Sequence, residues 1–162
     1  MIDMILSRRS CRSYTEKKVS EDNLQTIVKC GVYAPSGMNS QGIQFCVITN
    51  EEILNALETK MGRSFFYHAP ALIVAYCAPD YKYAQQDGSC AMTQMYLAAH
   101  ALGLGCCWIN QMKDMVDDPK FADLYQQLGL YHQCIVGALA VGYAKDEPKE
   151  RIIHDNRVRF IK

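Results

Sequence analysis

The sequence carries no net charge: seventeen Lys and Arg are matched by seventeen Asp and Glu. That balance leaves no field to draw in nucleic acid or an anionic membrane surface by steering or counterion release, and neither partner is expected. A long apolar run is lacking too. The longest, Ala69 to Ala78 and Cys134 to Val141, reach about half of the roughly twenty residues that a membrane helix requires. The amino terminus opens Met1-Ile2-Asp3-Met4 and meets Arg8 and Arg9 only later, the reverse of a secretory leader, so the expected location is the cytoplasm. No cysteine pair has C-x-x-C spacing, no histidine sits in an H-E-x-x-H frame and no serine in a Gly-x-Ser-x-Gly elbow. His68, His100, His132 and His154 therefore show no ligand spacing, the adjacent Cys106 and Cys107 cannot easily grip one ion with both sulfurs, and neither a metal nor a serine-hydrolase triad is expected. Repeats and low-complexity linkers are missing as well, so residues 1–162 read as one domain with 145–162 as a tail.

Eight cysteines are present, spread through apolar segments of a chain long enough to build a core, which favours reduced and mostly buried thiols. Helices and strands alternate. A short amphipathic helix spans Met1 to Leu6, and Ser20 caps a second that runs through Val32 with Leu24, Ile27 and Val28 on one face. Phe45 to Thr49 reads as a strand, Glu51 to Met61 as a helix stopped by Gly62, and Ala71 to Cys77 as an apolar strand buried on both faces. The longest helix, Tyr83 to Leu102, has almost no polar face in its second half and must be covered on two sides. Cys106 to Ile109 is a short apolar segment. Asp118-Pro119 starts a helix over Phe121 to Leu128, and Ile135 to Tyr143 is the last core strand. Arg157 to Ile161 alternates like an edge strand with no partner evident in the chain, which suggests a tail exchanged between subunits.

Three clusters could carry chemistry. In Arg8-Arg9-Ser10-Cys11-Arg12, guanidinium forks and a hydroxyl alternate along an extended segment and could grip a phosphate, although basic residues after a helix also complement its dipole. In Ala34-Pro35-Ser36-Gly37-Met38-Asn39-Ser40-Gln41, small residues let backbone amides approach a planar ligand while Asn39 and Gln41 offer amide groups; the bland alternative is a plain turn. Pro148-Lys149-Glu150-Arg151 sets two cations about one acid, as an ordinary solvated tail also can.

Together, and with Gly103-Leu104-Gly105-Cys106-Cys107-Trp108-Ile109, these segments resemble the FMN-dependent nitroreductase family: Arg-x-Ser-x-Arg/Lys, then Pro-Ser-x-x-Asn-x-Gln, then Gly-Leu-Gly-x-x-Trp-Ile, then Lys-x-Arg, in that order. The resemblance implies an α+β fold, a central mainly antiparallel sheet flanked by helices, in an intertwined homodimer. It implies FMN held by Arg8, Arg9, Ser10 and Arg12, with Lys149 and Arg151 closing on the phosphate. Pro35, Ser36, Gly37, Asn39 and Gln41 would cover the ring from the other subunit, and the backbone at Trp108 and Ile109 would lie beside it. No protein group acts as nucleophile; Arg12 is the candidate to stabilise charge near flavin N1. NADH or NADPH would be the donor and a small conjugated acceptor, such as a nitroaromatic or quinone, the substrate. A dehydrogenase- or dehalogenase-type flavin enzyme and a non-catalytic FMN redox sensor are the alternatives. Gln41-Gly42-Ile43 replaces the family's Gln-Pro-Trp, and the substrate-lid insert is reduced to Met61–His68 and Met112–Asp118.

Overall fold

Ser20 and Asn50 fix the starts of the second and third helices. The Ser20 hydroxyl accepts from the Asn23 amide at 3.4 Å and the Asn50 carbonyl oxygen from the Ile53 amide at 3.1 Å, each satisfying a donor that the first turn leaves free. The computed structural model describes residues 1–147, 149–154 and 157–162. Its helices are α1 (Ile2–Ser7), α2 (Glu21–Val32), α3 (Glu51–Met61), α4 (Ala84–Ala101) and α5 (Ala122–Gln127); its strands are β1 (Gln44–Ile48), β2 (Ala71–Cys77), β3 (Gly105–Ile109) and β4 (Cys134–Gly142).

The strands form one antiparallel sheet in the order β1-β2-β4-β3. Inserting the last strand between β2 and β3 places it in the middle, which is why it is apolar throughout. Alternation persists even inside such strands. Leu72 and Val74 enter one core with Leu54, Leu57, Phe66, Phe121 and Tyr125, while Ala71, Ile73 and Ala75 enter the other with Leu24, Ile27, Met92 and Met95. The long helix α4 is covered by α2 on one side and the sheet on the other, as its composition requires.

Sequence expectations differ from the structure mainly at element ends. The helix expected over Phe121–Leu128 begins as a 3₁₀ turn at Pro119–Phe121, where Asp118 caps the Lys120 amide at 3.0 Å. The last strand starts at Cys134, in register with Cys77, and ends before Tyr143. Arg157 to Ile161 makes no ladder: these residues are exposed and no sheet edge of the same chain reaches them. Among the described residues, no helix is long and apolar enough to cross a membrane.

Candidate functional site

The segment after α1 cannot continue as helix, because Arg8 turns to extended backbone (φ −55°, ψ 132°). It is stitched instead against β3 and the chain after β4. Cys11 donates its amide to the Cys106 carbonyl at 2.9 Å, Thr15 to Tyr143 at 2.9 Å, and Lys145 returns a bond to Ser13 at 3.0 Å. Gly105 permits the approach, since a Cβ there would lie 2.7 Å from the Cys11 side chain. Cys11 is buried and pins the segment, so its neighbours face outward.

The two adjacent arginines do different things. Arg9 turns back and donates to the carbonyls of Leu6 (2.7 Å) and Arg8 (2.9 Å), capping the helix it follows. Arg8 lays its guanidinium 4.4 Å over the Tyr96 ring, and its Nη1 is buried with no hydrogen-bond partner. Tyr96 also donates to Ser10 Oγ at 2.6 Å. Burial pushes the Tyr96 phenol up to about 12, so it remains a donor at neutral pH. Arg12 is exposed; the Cys107 sulfur and the Tyr67 hydroxyl beside it push its already high pKa further up. Burial likewise raises the Cys11, Cys106 and Cys107 thiols, which leaves them protonated and poor nucleophiles.

A cleft of about 470 Å³ is lined by Arg9, Ser10, Cys11, Arg12 and Ser13 together with Asp146, Glu147, Lys149 and Arg151. The two ends of the chain thus meet, and the cationic segments after α1 and after β4 face one space; Pro148 lies outside the described residues. Trp108 is half-buried on β3 and Ile109 is fully buried in the core, so only its backbone is available at the edge.

The loop of Pro35, Ser36, Gly37, Asn39 and Gln41 is elsewhere. It sits at the amino end of α4, where it lines a smaller cavity with Asp87 and Ala91. Ser36 Oγ accepts the Gln41 amide at 3.0 Å, and the Gln41 side chain donates to Asn39 Oδ1 at 3.2 Å. Within one chain, then, this loop does not join the arginine segment.

Of the two stretches read as lid remnants, Met61–His68 is fastened by Glu58, which accepts from Ser64 Oγ at 2.6 Å and pairs with His68 Nδ1 at 2.6 Å. Met112–Asp118 is anchored by Met112 and Met115, which are buried, and Tyr125 donates to the Met112 carbonyl at 2.7 Å. The sequence reading passed over Asp87 and the pairing of Tyr96 with Ser10. Asp87 carried a signal, since a carboxylate four residues before Ala91 and eight before Met95 falls on the buried stripe of α4.

Comparisons with known proteins identify the family and the fold. The sequence profile described as "Nitroreductase family" matches residues 5–63 and 55–143. A protein of Archaeoglobus fulgidus, provisionally named NADH dehydrogenase/NAD(P)H nitroreductase, is 31% identical over 157 residues, covering 90% of this chain and 86% of the relative. A nitroreductase with bound FMN from Bacteroides fragilis superposes with a TM-score of 0.89 at 30% identity, covering 99% of this chain and 98% of that one. An FMN-dependent nitroreductase from Clostridium difficile R20291 gives 0.83 at 28% identity, with coverage of 99% and 98%. With the profile spanning most of its length and the fold shared end to end, the chain belongs to the nitroreductase family.

Proposed function

We propose that this protein binds FMN in a site completed by two subunits and uses NADH or NADPH to reduce a small conjugated acceptor of the nitroaromatic or quinone kind. The broader activity, NAD(P)H-dependent flavin oxidoreduction, follows the family and its named relatives. One observation carries the assignment of the site: Arg8 holds a buried Nη1 with no partner and shares Tyr96 with Ser10, and Ser10 lines the cleft with Arg9, Arg12, Lys149 and Arg151. A buried charged donor left unpaired is costly, and a phosphate oxygen satisfies it with the fork geometry that guanidinium favours. The residues therefore fit FMN.

When bound, FMN supplies the electron relay between nicotinamide and acceptor. The chain's own groups bind and orient. Arg8 and Ser10, both held by Tyr96, present donors to the phosphate, and Lys149 and Arg151 add charge from the opposite side. Arg12 is assigned to the ring, where a fixed cation stabilises negative charge that develops there. The protonated thiols nearby offer no competing nucleophile.

The two-subunit arrangement is supported by α4. Asp87, beside the Ser36–Gln41 loop, and Tyr96, beside the arginines, are about 13 Å apart along the helix axis. A second copy with its α4 running the opposite way brings the loop of one chain to the arginines of the other. The tail fits the same scheme: Ile152, Ile153, Val158, Phe160 and Ile161 are exposed, and α2 and the edge strand β1 frame an apolar groove lined by Leu24, Val28, Val32 and Val47.

The test is optical. Protein incubated with FMN and desalted is expected to be yellow, to bleach on adding NADH or NADPH, and to regain colour with a quinone or nitroaromatic. Flavin retained but inert to both donors would make the protein a binder, and no retention would overturn the proposal.

A further inference from the structure

Asp87 is the one charged side chain buried among the described residues, at 5% exposure, and nothing in the reaction above uses it. Its carboxylate is fully engaged. Oδ1 accepts the Gly37 amide at 2.9 Å, and Oδ2 accepts the Tyr81 hydroxyl, which also contacts Ser40 Oγ. Both partners lead to the same loop. Tyr81 and Tyr83 back it closely: a Cβ at Gly37 would stand 2.7 Å from the Tyr83 ring.

That loop needs a restraint. Met38, Asn39 and Gln41, none of them glycine, have φ of 55°, 53° and 52°. Such left-handed residues are unfavourable singly, and three within four positions persist only where the surroundings over-determine them. Local bonds within Ser36–Gln41 close the loop on itself. Its ties to the body of the protein run through Asp87, in the first turn of α4, to the Gly37 amide and, by way of Tyr81, to Ser40.

We propose that Asp87 is a positioning residue: through Gly37 and Tyr81 its carboxylate clamps the 36–41 loop to α4 in the strained shape that meets the flavin of the neighbouring subunit. The clamp itself rests on contacts within one chain; its bearing on flavin rests on the two-subunit site proposed above. Asp87→Asn keeps the shape but removes the charge, and Tyr81→Phe removes one arm while leaving the carboxylate.

Two measurements separate the layers. Hydrogen exchange on the apoprotein should show faster exchange of the Gly37–Gln41 amides in Asp87→Asn, with α4 and the sheet unchanged. Titration of FMN into the same proteins, followed by flavin fluorescence, should show about tenfold weaker binding for Asp87→Asn and a smaller loss for Tyr81→Phe, with altered visible circular dichroism of flavin at saturation. A merely structural Asp87 would lower the melting temperature but leave flavin affinity and dichroism alone. Unchanged loop exchange in both variants overturns the clamp, whatever the flavin does. Faster exchange with unchanged affinity and dichroism overturns its role toward flavin. Should the unaltered protein take up no FMN, the two-subunit site falls while exchange still decides the clamp. If Asp87→Asn does not fold, Tyr81→Phe decides both points by the same criteria.

Discussion

Arg8 and Arg9 are neighbours of identical chemistry, and their surroundings give them opposite roles. A buried donor without a partner costs about 1–3 kcal/mol, partly offset for Arg8 by about 1 kcal/mol from the Tyr96 face. Removing that side chain therefore relieves roughly as much as it loses in the apoprotein. Arg8→Ala is expected to shift the apoprotein melting temperature by less than about 4 °C. FMN binding should meanwhile weaken roughly ten- to hundredfold, the value of a charge-assisted contact of about 1.5–3 kcal/mol. Arg9→Ala should cost mainly apoprotein stability and less affinity than Arg8→Ala, because Arg9 lines the cleft but spends its hydrogen bonds on the Leu6 and Arg8 carbonyls. Calorimetry and flavin titration on the two variants check this; equal losses of affinity would contradict the division. The Arg-x-Ser-x-Arg spacing was legible in the sequence. Which arginine caps the helix and which is laid over an aromatic ring was not, since that depends on Tyr96 from α4, far along the chain.

At the scale of elements, the helices were legible because their signals are local: Ser20 and Asp118 as caps, Gly62 as a stop, and apolar stripes at helical spacing. The strand order was not. Nothing local in Cys134–Gly142 says that it enters between β2 and β3, a pairing between residues some sixty positions apart and set by which faces the helices leave open. The attachment of the arginine segment to β3 is non-local too, and its closest approach is Gly105 against Cys11, beside the Cys11–Cys106 hydrogen bond. Gly105→Ala places a Cβ 2.7 Å from the Cys11 side chain, and neither the strand nor the buried thiol can move freely. Overpacking of this kind costs about 1–3 kcal/mol. β3 is held along its whole length by β4, whereas the segment is joined by a few single bonds, so the segment should yield first, carrying Arg8 and Ser10 with it. Gly105→Ala is thus expected to lower the melting temperature and to weaken FMN binding together. A melting loss with unaltered affinity would mean that the segment is not what the glycine holds.

For the whole molecule, the decisive feature is apolar surface that the single chain leaves in water. Ile2 and Leu6 on α1, Val32 and Tyr33 at the end of α2, Met38 in the loop and five large apolar side chains in the tail are all exposed. One such residue means little; a set distributed over both termini and the loop is surface that a second copy, as proposed above, would cover. The tail is the part whose removal disturbs the fold least, because residues 149–154 and 157–162 form no helix or strand. Each large apolar side chain contributes about 1.5–3 kcal/mol when fully buried, so a tail laid into the α2–β1 groove of a second copy would supply a large share of a dimer's stability. A chain ending at Arg151 keeps the cationic pair Lys149 and Arg151 and loses the apolar strap together with Arg157, Arg159 and Lys162. It is expected to keep the far-ultraviolet dichroism of the full chain, to sediment increasingly as monomer on dilution, and to release FMN as it does so. A truncated chain that stays dimeric at the lowest measurable concentration and retains its flavin would show that the tail does not cross between subunits, and the contact holding the two copies together would then have to be sought along α1 and α4.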